Sequence, residues 1–158
     1  MTEDAANELD PTTELAEEEK RVACSGWDGC DLQLTKLVRI VNKFDHLGIS
    51  ITLAVSGQVV TGLMIPVKKW RARTVEALVD QLSWQWRGGA PRDELHEVVD
   101  NRIVFPDPEL VQPKFVHLAA ANYVTPSGFI PPAEGMLWRG AISRVDGWHL
   151  GSIITLEH

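Results

Sequence analysis

The dipeptide Asp146-Gly147 constrains this chain more than any other feature, because it separates two apolar-rich runs, Leu137–Val145 and Trp148–Ile154. Asp-Gly in such a setting is the strongest short hairpin signal, since a two-residue type I′ turn needs φ > 0 at both central positions. The expected hairpin sets Val145 opposite Trp148, Ser143 opposite Leu150 and Ile142 opposite Gly151, with Gly140 opposite Ile153 and Arg139 opposite Ile154 further out. Glycines alternating with Ile142 and Ile153 mark a face that another backbone approaches closely. This is a packing pattern, and no active site shows in it.

A second hairpin is expected over Ile49–Pro66, turning at Ser56-Gly57. A two-residue loop pairs Val55 with Gln58, Leu53 with Val60, Ile51 with Gly62 and Ile49 with Met64. One face then carries Ile49, Ile51, Leu53, Val55, Val60 and Met64. The other carries Ser50, Thr52, Ala54, Val59, Thr61 and Leu63, a mixture that suits a strongly bent sheet or one partly covered by a helix.

Helical periodicity occurs twice. Leu34, Leu37, Val38, Val41 and Phe44 form one stripe behind a potential cap at Asp31, predicting a helix over residues 31–47 with a stop at Gly48. Val75, Leu78, Val79, Leu82 and Trp86 form another, predicting a helix over residues 70–87 that ends at Gly88-Gly89 and Pro91. Trp70, Trp84 and Trp86 concentrate aromatic surface there. They read either as helix-on-sheet packing or as an anchor for a partner, since tryptophan is enriched at interface hot spots. Between residues 88 and 113 a short helix at Arg92–Val99 and a strand fragment at Ile103–Phe105 are possible, but Pro106, Pro108 and Pro113 favour loop. Lys114–Ala121 reads as a strand, and Pro126–Gly135 as a surface loop.

Charge divides the chain. Residues 1–20 hold eight acids against Lys20, a net of −7 that equals the whole formal charge. The total of 22 acids less these eight leaves 14, and 15 bases less Lys20 leaves 14, so the remainder is neutral. Residues 1–20 are therefore expected to trail as a disordered acidic tail, serving solubility or an electrostatic contact with a basic partner. Residues 21–155 form one α+β domain, and residues 156–158 read as a tag remnant. The balance argues against a nucleic-acid binder. With no run of about 18 apolar residues, no membrane span is expected, and the acidic start has the wrong sign for a signal peptide.

Catalytic signals are weak. Cys24 and Cys30 fit no zinc pattern and read as reduced bystanders in a cytoplasmic protein, with a local disulfide as the alternative. His46, His96, His117 and His149 show no metal-binding spacing, although His117 and His149 would approach each other on neighbouring strands. Arg139, beside Trp138, could bind an anion or stack on an aromatic ring, and a structural cross-strand contact is the plainer role. Ser143 and Ser152 lack a nucleophile-elbow context, and Gly57–Gly62 precedes no helix directly, so it is no phosphate loop. No cofactor, metal or enzymatic activity is expected.

Ser56–Ile65 (SGQVVTGLMI), Phe115–Leu118 (FVHL) and Leu137–Ile153 (LWRGAISRVDGWHLGSI), in this order behind a short helix, resemble the gas vesicle accessory protein U (GvpU-type) family. The third block is the most specific, with Trp138-Arg139-Gly140, Val145-Asp146-Gly147 and Leu150-Gly151 in place. Residues 88–113 look longer than the family pattern, and the acidic tail and CSGWDGC fall outside it. The resemblance implies a cytoplasmic, non-catalytic accessory protein linked to gas vesicle clustering and dispersal. It also implies contact with vesicle shell or other accessory proteins. The competing class is a self-assembling small-barrel module, SH3- or Sm-like, that binds peptide or RNA. For either, the expected architecture is a curved five-stranded antiparallel sheet or partly open barrel with two helices. It would form homo-oligomers through a strand edge or the tryptophan-bearing helix. The candidate interface residues are Trp70, Trp84, Trp86, Trp138 and Arg139.

Overall fold

The computed structural model describes residues 31–85, 91–103, 113–131 and 134–153. The acidic stretch 1–20, Cys24, Cys30, Trp86, Phe105 and the 156–158 ending lie outside the described residues, as does the side chain of Trp84.

Helix α1 spans Leu32–Lys43, with Asp31 as its N-cap. One oxygen of the Asp31 carboxylate accepts from the amides of Gln33 at 2.8 Å and Leu34 at 2.9 Å, two donors that no intrahelical bond can satisfy. Leu34, Val38 and Val41 are buried and Leu37 packs beside them, as the stripe requires. Phe44 instead adopts an extended backbone and ends the helix short of the predicted Leu47, leaving its ring exposed.

Strands β1, Ile49–Val55, and β2, Gln58–Met64, pair in the register expected from the sequence. Ser56 and Gly57 have φ of 51° and 80°, both in the left-handed region that a type I′ turn demands. Ile51, Leu53, Val60 and Met64 fill the inner face. Helix α2 then runs over Val67–Gln85, starting three residues before Trp70. Its first amide, on Val67, donates at 3.0 Å to the side-chain oxygen of Asn42, a buried residue of α1.

Helix α3, Arg92–Val98, continues into a π-helical turn at Val99–Ile103, so Ile103 belongs to no strand. Val75 and Val79 of α2 bury against Leu95 and Val99, with Leu78 and Leu82 alongside. This second small core lies apart from the sheet, so most of the α2 stripe serves a helix–helix contact. Arg71 reinforces it with a forked hydrogen bond to Asp100, and Arg92 bridges Glu76 and Asp80.

The chain returns as β3, Phe115–Thr125, and β4, Gly128–Ile130, then β5, Met136–Ala141, a 3-10 turn at Ile142–Arg144, and β6, Val145–Leu150. The fold is α+β. Among the described residues it has three α-helices and an open, six-stranded antiparallel sheet in the order β4–β3–β2–β1–β6, with β5 also on β3. β4 pairs with residues 123–125 of β3 and β5 with residues 115–121, so the two share one lane and the sheet is five lanes wide. β4 occupies the segment expected to be surface loop; only three residues long, it carries too little alternation to show as a strand.

The C-terminal hairpin is corrected. β5 pairs with β3 while β6 pairs with β1, at the opposite margin of the sheet, and the corner between them is Ile142–Arg144. Gly147 stands opposite Ala54 and Val145 opposite Val55, so Asp146 is the extra residue of a β-bulge. Asp-Gly suits a bulge as well as a turn, and here Asp146 accepts the amide of Ser56 at 2.7 Å, bracing the neighbouring β1–β2 turn. Sequence cannot separate these uses.

This connectivity explains the curvature. A three-residue link spans about 10 Å at most, yet it joins the two outermost lanes, so the sheet must roll until its margins nearly meet. Ile142, within the link, is buried in the rolled core with Leu34, Val38 and Val41 of α1. The indole NH of Trp148 donates to the second oxygen of Asp31 at 2.8 Å, tying α1 to the β6 margin.

Candidate functional site

The outer face of the sheet has three zones, and their division follows from where small residues occur. At one end α2 covers β3. Trp70 packs against His117 with ring centroids 4.9 Å apart. His117 is buried, and burial first, then the charge of Arg139, lowers its pKa to about 4.

At the other end the chain beyond β6 folds over the sheet as a strap. The amide of Gly151 donates to the Ser50 carbonyl at 2.7 Å. The hydroxyl of Thr52 donates to the Gly151 carbonyl at 2.9 Å, and the amide of Ile153 donates to the Thr61 hydroxyl at 3.1 Å. Thr52 and Thr61 face each other across β1 and β2 with oxygens 3.0 Å apart. Thr52 has one proton and gives it to Gly151, so Thr61 must donate to Thr52. Both buried hydroxyls are thereby satisfied, and the strap is pinned.

Between helix and strap the outer face is open. Gly62, Leu63, Ala120, Asn122 and Phe129 line a groove of about 450 Å³, closed on the strap side by Ser152 and Ile153. Its floor exists because β3 bulges at Ala119–Ala121, where pairing slips against both β2 and β5. Ala120 has φ 48°. A Cβ on Gly62 would lie 3.0 Å from the Ala121 backbone, and one on Gly135 would collide with that of Ala120. Gly62 of β2 and Gly135, just before β5, thus both crowd the one bulge. None of the groove residues is charged. Leu63 and Ile153 are 37% and 38% exposed, so the rim is apolar and accessible. The amide of Asn122 donates to the Pro131 carbonyl at 2.6 Å, which holds the β4 end of the groove. Such a site can receive an uncharged stretch of polypeptide; it holds no acid–base pair.

The residues singled out from the sequence are not gathered here. Trp70, on α2, is half-buried against β3, and Trp138 lies across Gly140 with its indole NH donating to the Tyr123 hydroxyl at 3.2 Å. Arg139 is exposed at the β5 margin, its guanidinium 3.7 Å from the centre of the Phe115 ring. His117 and His149 lie on β3 and β6, which are not neighbours. Among the described residues no three His, Cys, Asp or Glu side chains come together as metal ligands. No helix among them is long and apolar enough to cross a membrane. Sequence reasoning missed the groove. Its one visible signal was the run Ala119–Ala121, small residues in a strand opposite Gly62.

A family model described as Gas vesicle protein GvpU-like matches residues 31–153, from the cap of α1 to the end of the strap. No curated protein and no solved structure matches the chain.

Proposed function

The chain belongs to the gas vesicle protein GvpU-like family, and on that footing we propose that it is a non-catalytic accessory protein acting on gas vesicle clustering or dispersal through protein contacts. The observation that carries this reading is the uncharged, apolar-rimmed groove between the strap and β4. Its occupant is an uncharged segment of a protein displayed at the vesicle surface. A groove meant for RNA would set basic side chains beside exposed aromatics, and this one is lined by no basic side chain. The protein works in the cytoplasm at the vesicle. A second copy adds through the open β6 edge, and Arg139 at the β5 margin contributes to contacts there.

Co-flotation of the purified protein with isolated gas vesicles tests the reading. The wild-type protein rises with the vesicles, and Leu63→Glu or Ile153→Glu reduces the bound fraction about tenfold, as loss of a contact worth about 1.4 kcal/mol would. Failure of the wild-type protein to float, or unchanged binding by both variants, contradicts it.

A further inference from the structure

The first half of α2 carries Lys68, Lys69, Arg71 and Arg73 with no acid before Glu76. Arg71 is paired with Asp100, whereas Lys68, Lys69 and Arg73 are exposed and have no ionic partner among the described residues. Lys68, Arg71 and Arg73 line a groove of about 540 Å³ beside α3. Outside residues 1–20 the chain is neutral, so this basic surface is offset elsewhere in the body, while all the net charge sits in that one stretch.

The acidic stretch also lies within reach. The side chain of Asn42, at the end of α1, touches the first amide of α2. From Asp31 to Asn42 is about 17 Å along the helix, and the link from Lys20 to Asp31 can extend to about 36 Å. We propose that the acidic segment of residues 1–20 docks on the basic surface formed by Lys68, Lys69 and Arg73 of the same molecule, as a contact that salt releases. The segment then competes for that surface with any acidic partner.

Zero-length carbodiimide cross-linking of the full chain, read by mass spectrometry, tests the proposal. The chain offers Lys36, Lys43 and Lys114 as internal controls for Lys68 and Lys69. At low ionic strength the acids of residues 3–19 should link to Lys68 and Lys69 within one molecule. Those links should be lost in about 1 M salt, where the screening length shrinks to about 3 Å. E14Q/E17Q/E18Q/E19Q, which removes four of the eight acids, should lower the yield of links from the remaining Glu3, Asp4, Glu8 and Asp10 to Lys68 and Lys69 at low salt. Links spread evenly over Lys36, Lys43 and Lys114, links found only between isotopically mixed copies, or no links at all would overturn it. None of these outcomes depends on vesicle binding.

Discussion

Asp31 uses its two carboxylate oxygens for two different tasks: one caps α1 and the other receives the indole of Trp148. Its pKa is lowered chiefly by the Leu34 amide, so its stabilising effect is present at neutral pH and is lost as the solution is acidified below the usual carboxylate range. Asp31→Ala should cost about 1–2 kcal/mol in urea unfolding at pH 7, and Asp31→Asn, itself a good cap, clearly less. Equal costs would deny the capping role. His117 works in the opposite chemical sense but with the same sign in pH. Its folded pKa of about 4 lies below the ordinary 6.5, so the unfolded chain takes up a proton first. Stability is therefore complete above pH 6.5 and falls as pH drops toward 4, by about 3 kcal/mol in total. His117→Phe, which keeps a ring against Trp70, should remove most of that slope. An unchanged slope would place the acid sensitivity elsewhere. The sequence shows Asp31 as a cap, but gives no sign that Trp148 is its second partner, because that contact depends on which margin β6 joins.

At the scale of elements, legibility tracks locality. The β1–β2 ribbon could be read to the residue because its register is set by a two-residue turn and a one-sided apolar pattern. The β5–β6 corner could not, because Asp-Gly serves a bulge as readily as a turn and the deciding partners, β3 and β1, lie far away in sequence. Substitution separates the two accounts. Gly147 has no positive φ and an added Cβ would meet nothing within 4 Å, so Gly147→Ala should change stability by less than about 0.5 kcal/mol. A turn with φ > 0 there would instead cost about 1–2 kcal/mol. Gly57→Ala, at φ 80°, should show that larger cost. Gly135→Ala, which combines φ 76° with a backbone collision, should be worse still. The strap offers a further test. Thr52→Val and Thr61→Val each strand a buried hydrogen-bonding group and should cost about 1–3 kcal/mol. Because the hydroxyls form one relay, the double variant should cost less than the two singly added. Strict additivity would mean the relay is not shared.

The whole molecule is a sheet rolled by a short link, with one helix filling its core and another covering part of its back. The fold class and the curvature were legible from strand count, turn spacing and the mixed outer face of β2. The groove was not, because it arises from a bulge in β3, a strap pinned by two threonines and a strand of three residues, none of which leaves a periodic signature. The α2–α3 hairpin was half legible. Its stripe was visible, but the choice between sheet and helix as its partner depended on Leu95 and Val99, within a segment dominated by prolines on its far side. Under the function proposed above, the vesicle contact should fall on the rolled sheet's open back. Amide hydrogen exchange of the full chain, with and without purified gas vesicles, measures this directly. Vesicles should slow exchange in residues 60–64, 120–130 and 150–153. Protection confined to α2 and α3, or no change at any of these positions, would contradict the assignment of the groove as the docking surface.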